Sequence, residues 1–130
     1  MAHPDETPWT LARDLTAKTF TGEAMSLFEL YREALRQGQT IIEGRTFTNC
    51  RLEGPAVVAI LGGVNFDSTD FGYTGGDIGR IVWRSASSTG VVGAIPFKDC
   101  TFKGCSFFAT GFTGPEAFLQ QILALQVRPV

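Results

Sequence analysis

The chain has 130 residues, 44% hydrophobic and 18% charged, with a formal net charge of −2. That is the size of one domain, apolar enough to bury a core and too apolar to stay disordered. It lacks the basic excess of a phosphate-tracking surface, the acidic excess of a DNA mimic and any apolar run as long as a membrane span, so neither nucleic acid nor a membrane is an expected partner.

Residues 1–9 read as a loose arm. The opening "MAHPDETPWT" has no basic start and no apolar run of a signal peptide, which predicts a cytoplasmic protein. Residues 10–38 read as a helical segment. "TLARDLTAKTF" suits a short helix over 10–20, capped by Thr10, with Leu11 and Leu15 on one face. "SLFELYREALRQG" predicts a clear helix. Ser26 and Glu29 have capping-box spacing. Leu27, Phe28, Leu30, Tyr31, Ala34 and Leu35 form a broad apolar stripe, and Gly38 suits the residue just past the end.

After Gly38 the period becomes five. Ile42, Phe47, Leu52 and Val57 are five apart; so are Leu61, Phe66 and Phe71, and again Val92, Phe97, Phe102, Phe107 and Phe112. An octapeptide recurs as "FTNCRLEG" at 47–54 and "FKDCTFKG" at 97–104. In an extended Cys-x-Leu or Cys-x-Phe, the first and third residues face one side. Cys50, Cys100 and Cys105 therefore point inward beside Leu52, Phe102 and Phe107. The two residues that follow turn the chain. Repeating this five-residue step winds a coil around an aromatic column. The competing reading is an ordinary antiparallel sheet in which Phe recurs.

The pairs Cys50/Leu52, Cys100/Phe102, Cys105/Phe107 and Thr110/Phe112 resemble the pentapeptide-repeat family. Its right-handed quadrilateral β-helix carries Leu or Phe at each central position and a small residue two before it. The resemblance covers residues 40–113 in patches. Arg45, Pro55 and Ile95 occupy small-residue slots, residues 72–91 do not fit, and Asn49 and Asp99 precede the cysteines where the family has an Ala-Asp/Asn-Leu triplet. It implies a single mainly-β domain: a short β-solenoid over 40–113, with the N-terminal helix and a capping helix over 114–126 flanking it. Some members act on DNA topoisomerases by resembling duplex DNA. This short, weakly acidic chain gives no ground for carrying that activity over.

"DSTDFGYTGGDIGR" (67–80) interrupts the period as a Gly-rich loop. "IVWR" (81–84) and "VVGAIPF" (91–97) read as strands, the first with Ile81 and Trp83 on one face and Arg80, Val82 and Arg84 on the other. "TGPEAFLQQILAL" opens the final helix, with Pro115 at its first position and Phe118, Leu119, Ile122, Leu123 and Leu125 on its apolar face.

The residue types argue against most catalysis. The one histidine, His3, lies in the arm, so no fixed imidazole serves a triad. The three cysteines are an odd number without CxxC spacing, which speaks against a disulfide framework and against zinc. They are expected to be buried packing. Asp67, Asp70 and Asp77 match no EF-hand and read as turn formers; an acid–base carboxylate pair ranks last. The glycines offer neither a Walker lysine nor a GxGxxG. No catalytic residue, metal or cofactor is assigned. The expected core is Phe47, Cys50, Leu52, Phe66, Phe97, Cys100, Phe102, Cys105, Phe107 and Phe112. The candidate binding residues are Tyr73, Arg80, Trp83 and Arg84, because Trp, Tyr and Arg dominate interface hot spots. The leading expectation is a non-catalytic module that binds a protein partner or forms a homodimer. The alternative is a binder of a nucleotide or other small anion at Arg80, Arg84 and the Gly-rich loop.

Overall fold

A computed structural model describes residues 9–72, 78–84 and 93–124. The fold is mainly β with two helices among these residues. In chain order the strands are β1 (Thr10–Leu11), β2 (Thr19–Thr21), β3 (Glu23–Ser26), β4 (Ile42–Glu43), β5 (Thr46–Thr48), β6 (Arg51–Ile60), β7 (Asn65–Asp67), β8 (Ile95–Lys98), β9 (Thr101–Lys103) and β10 (Ser106–Thr113). Helix α1 is Leu27–Arg36 and helix α2 is Glu116–Ala124. Every strand ladder among the described residues is parallel, which overturns the antiparallel reading.

Five-residue spacing maps onto corners and flat stretches. The residue before five of the inward small slots adopts a left-handed backbone: Gly44, Asn49, Asp99, Gly104 and Ala109, with φ of 70°, 53°, 52°, 61° and 52°. Asn and Asp visit this region more readily than other side chains. That is the physical role of Asn49 and Asp99 ahead of Cys50 and Cys100. Ala109 has no such aptitude. It sits where the β6–β10 register shifts, opposite the Gly54–Pro55 corner. A Cβ on Gly54 would run into the Ala109 carbonyl, so this corner requires glycine.

The inward residues form columns. Phe20, Phe47, Phe102, Phe66 and Phe118 stack nearly parallel, with successive centroids 5.1, 4.9, 5.1 and 5.6 Å apart. Beside them, Met25 pairs in register with Leu52 and Leu52 with Phe107, and the Phe107 ring lies 6.0 Å from Phe71. Cys50, Cys100 and Cys105 are free and buried. Their thiols donate to carbonyls, Cys100 to Lys98 at 3.3 Å and Cys105 to Phe47 at 3.3 Å.

The order of layers does not follow the chain. Residues 95–113 lie between two passes of residues 42–82. Phe97 pairs with Ile42 on one side and Ile60 on the other. Phe102 lies between Phe47 and Phe66, and Phe112 between Val58 and Val82. The two passes and the inserted segment interleave like two threads wound together.

The expected helix over 10–20 does not form. Phe20 is buried and β2 pairs with β5, so the segment is recruited as another layer. Leu15, Phe20 and Met25 carry the five-residue period, and the layer's demand for an aromatic overrides a weak helical pattern. Helix α1 starts where β3 ends: Ser26 closes the strand and its hydroxyl accepts from the Glu29 N–H at 3.2 Å. A Schellman closure ends it, with Gln39 N–H on Ala34 O and Gly38 N–H on Leu35 O. Only part of the predicted stripe is used. Leu27, Leu30 and Ala34 pack inward against the sheet, while Phe28 and Leu35 face solvent. Helix α2 closes the opposite end, laying Phe118 over Phe66 and burying Leu119 and Ile122. Leu125 lies outside the described residues.

Candidate interaction surface

Residues 81–84 do not form the predicted strand. Ile78–Ile81 is a single 3₁₀ turn, followed by one bridge from Val82 to Phe112. Strand alternation therefore fails, and Ile81 is buried while Trp83 is 57% exposed. Trp83 is held by its backbone, whose N–H donates to Phe112 O at 2.8 Å. Its indole lies across Gly111, where a Cβ would collide with the ring. Arg80 and Trp83 share a groove of about 590 Å³ with Pro55, Phe71 and Ala109.

Arg84 leaves that constellation. Its guanidinium forms a two-pronged ion pair with Glu116, at 3.0 and 2.9 Å, and ties the 3₁₀ turn to α2. Hydrogen bonds from Arg84 and Gln120, together with the Arg84 charge, hold the Glu116 carboxyl down to about 2. An ordinary Glu titrates near ~4.3. A depressed carboxyl contributes its tie above the ordinary value and loses it as pH falls through the depressed one. The Glu116 carboxyl signal followed by NMR is therefore expected to titrate near 2. A midpoint in the ordinary range would mean that Arg84 swings free. Tyr73 and Asp77 lie outside the described residues. Asp67 and Asp70 are exposed and serve local turns, Asp70 accepting the Gly72 N–H at 2.9 Å. Among the described residues no three His, Cys, Asp or Glu side chains gather as a metal site, and no helix is long and apolar enough to cross a membrane.

A second cluster escaped the sequence reading. On the outer face of β6 and β10, the Arg51 guanidinium lies 5.5 Å from the Trp9 ring and 4.9 Å from the Phe108 ring. Glu53 neutralises it at 3.0 Å. Phe108 is 52% exposed and the nearby Leu11 77%. The signal was present in the sequence. Phe108 is the phenylalanine that breaks the five-residue phase in "SFFATGF", and Arg51 fills the outward slot between Cys50 and Leu52. The Gly54–Pro55 corner and Ala109 join this cluster to the Trp83 groove.

Burial pushes the Cys100 thiol up, which keeps it protonated and unreactive. The Cys50 thiol donates to Thr48 O at 3.4 Å and the Cys105 thiol to Phe47 O at 3.3 Å. Both are buried in the core.

No protein family, curated protein or solved structure matches the chain.

Proposed function

We propose that the chain is a non-catalytic interaction module, a short interleaved β-solenoid of pentapeptide-repeat type that binds a protein partner or a second copy of itself. The solenoid reading is supported by the five-residue step, the parallel register and the left-handed corners. The observation that carries the interaction reading is the outer surface joining Trp9, Arg51 and Phe108 to Trp83. Aromatic and arginine side chains are the strongest contributors at interfaces, because they bury large area at small entropic cost. Here they are braced before any partner arrives: Arg51 is fixed between two rings and Trp83 by its backbone.

The anion-binding reading keeps one supporting feature, Arg80 at the groove. Arg84 is already neutralised by Glu116, which removes half of the proposed site. The two readings separate in a thermal-shift panel of nucleotides, cyclic nucleotides, inorganic phosphate and simple metabolites, run beside capture of binding proteins on immobilised chain. The interaction module predicts no rise in midpoint from any small molecule, and capture that Phe108→Asp or Trp83→Ala abolishes. A rise of several degrees with one anion class, lost in Arg80→Ala, would reverse the choice, since a ligand that binds the native state raises its apparent stability.

A further inference from the structure

The end of the six-stranded sheet is β1, a strand of two residues. Thr10 N–H donates to Gly22 O at 3.0 Å and Ala12 N–H to Ala24 O at 2.9 Å. Backbone groups alternate in direction along a strand, so the N–H and C=O of Leu11 point away from the sheet. The outermost strand thus presents one donor and one acceptor on the same residue. Its side chain is the most exposed large hydrophobic in the described chain, at 77%. Sheet edges of this kind are usually protected by charge, proline or a covering segment, and among the described residues neither a proline nor a covering segment stands at Leu11.

We propose that β1 is the interface of a homodimer, in which Leu11 pairs with Leu11 of a second copy across a two-fold axis. The proposal rests on the interaction-module reading and names its partner. A two-fold axis makes two copies of one edge strand antiparallel. In an antiparallel hydrogen-bonded pair, the facing residues exchange both N–H···O=C bonds, which is the exchange one outward donor and one outward acceptor can make. The surroundings are self-complementary as well. Pairing centred on Leu11 sets Trp9 opposite Arg13 of the partner subunit, and Arg13 opposite the partner's Trp9, a cation beside an indole on each side of the axis. Arg13 is exposed, two residues beyond Leu11. The Leu11 side chains cover each other, and the face bearing Arg51 and Phe108 continues across both subunits.

The test is the mass in solution from about 1 to 500 μM, the range in which modest interfaces dissociate. Wild-type chain is expected to move with concentration from 14.1 kDa toward twice that mass. Leu11→Pro deletes only the outward donor and leaves the bonds of Thr10 and Ala12 in place, as proline on a sheet edge can. It is expected to stay monomeric with an unchanged melting midpoint. Leu11→Cys is expected to cross-link with itself under mild oxidation, because facing Cα atoms in such a pair lie about 5.5 Å apart, within disulfide reach. A chain that remains monomeric throughout overturns the dimer. So does a dimer that Leu11→Pro leaves intact and Leu11→Cys fails to link. Should Leu11→Pro not fold, the Leu11→Cys cross-link decides alone. A monomer that still captures a partner in a Phe108-dependent way refutes this inference without touching the reading beneath it.

Discussion

Phe102→Ala is expected to cost about 3–5 kcal/mol of folding stability. Phe102 is fully buried, and its ring lies 4.9 Å from Phe47 and 5.1 Å from Phe66, almost parallel to both. It also meets Phe97 and Phe107 at 5.8 and 5.3 Å. Removing it takes away apolar burial and leaves a void. The void cannot close readily, because parallel ladders on both sides of β9 fix the separation of the layers. The cost of a large-to-small change grows with the cavity that remains, so this site lies toward the upper end. A domain of this size is stable by only about 5–15 kcal/mol, and the variant would lose a large share of that. Phe108→Ala is the control: its ring is half in water, and little change is expected. Urea unfolding at constant slope measures both. A loss below about 1 kcal/mol for Phe102→Ala would contradict the column as the centre of the core.

Arg45→Met is expected to act in the opposite direction, raising stability by about 1–2 kcal/mol. Arg45 is 3% exposed. Its Nη1 donates to Leu15 O and its Nη2 to Gln39 Oε1, both at 3.3 Å, while Nε has no acceptor. Among the described residues no carboxylate lies within ion-pair distance of it. A guanidinium stays charged in a protein, so it bears the full desolvation penalty with neutral partners only. Methionine fills a similar elongated space without a charge, and its flexibility lets it fit an irregular gap. The same urea titration reads the result. A loss of more than about 1 kcal/mol would mean that the two long hydrogen bonds outweigh the cost of burying the charge.

The sequence made the periodic core legible because five-residue spacing is foreign to both helices and flat strands. Phe97, Phe102, Phe107 and Phe112 keep that phase without a break, and all four are buried. The octapeptide at 47–54 lies one five-residue step out of line with its copy at 97–104, with Phe47 opposite Phe102 and Leu52 opposite Phe107. What the sequence did not disclose is the order of the layers. Phe47 stacks equally well on Phe66 or Phe102, since every layer offers the same ring at the same depth. Such degeneracy leaves register along the strand well defined and succession between strands undefined. The Trp83 segment departs from its expected strand for another reason. A four-residue stretch fits strand alternation as easily as a 3₁₀ turn, and only the bridge to Phe112 fixes which side chain faces out. The Trp9–Arg51–Phe108 cluster draws on three separate parts of the chain, so no local pattern assembles it.

Interleaving makes the protein indivisible. Arrays that follow chain order can gain or lose a terminal unit and remain folded, since each unit leans only on the next. Here the late segment is the filling of the sandwich. Cutting the chain after residue 84 would not trim an end; it would empty the middle and leave Phe47 facing Phe66 across a missing strand. For the same reason a duplicated repeat cannot lengthen the molecule unless both threads grow in step. Its size is set by topology, and the polypeptide must commit its early and late halves to one cooperative event.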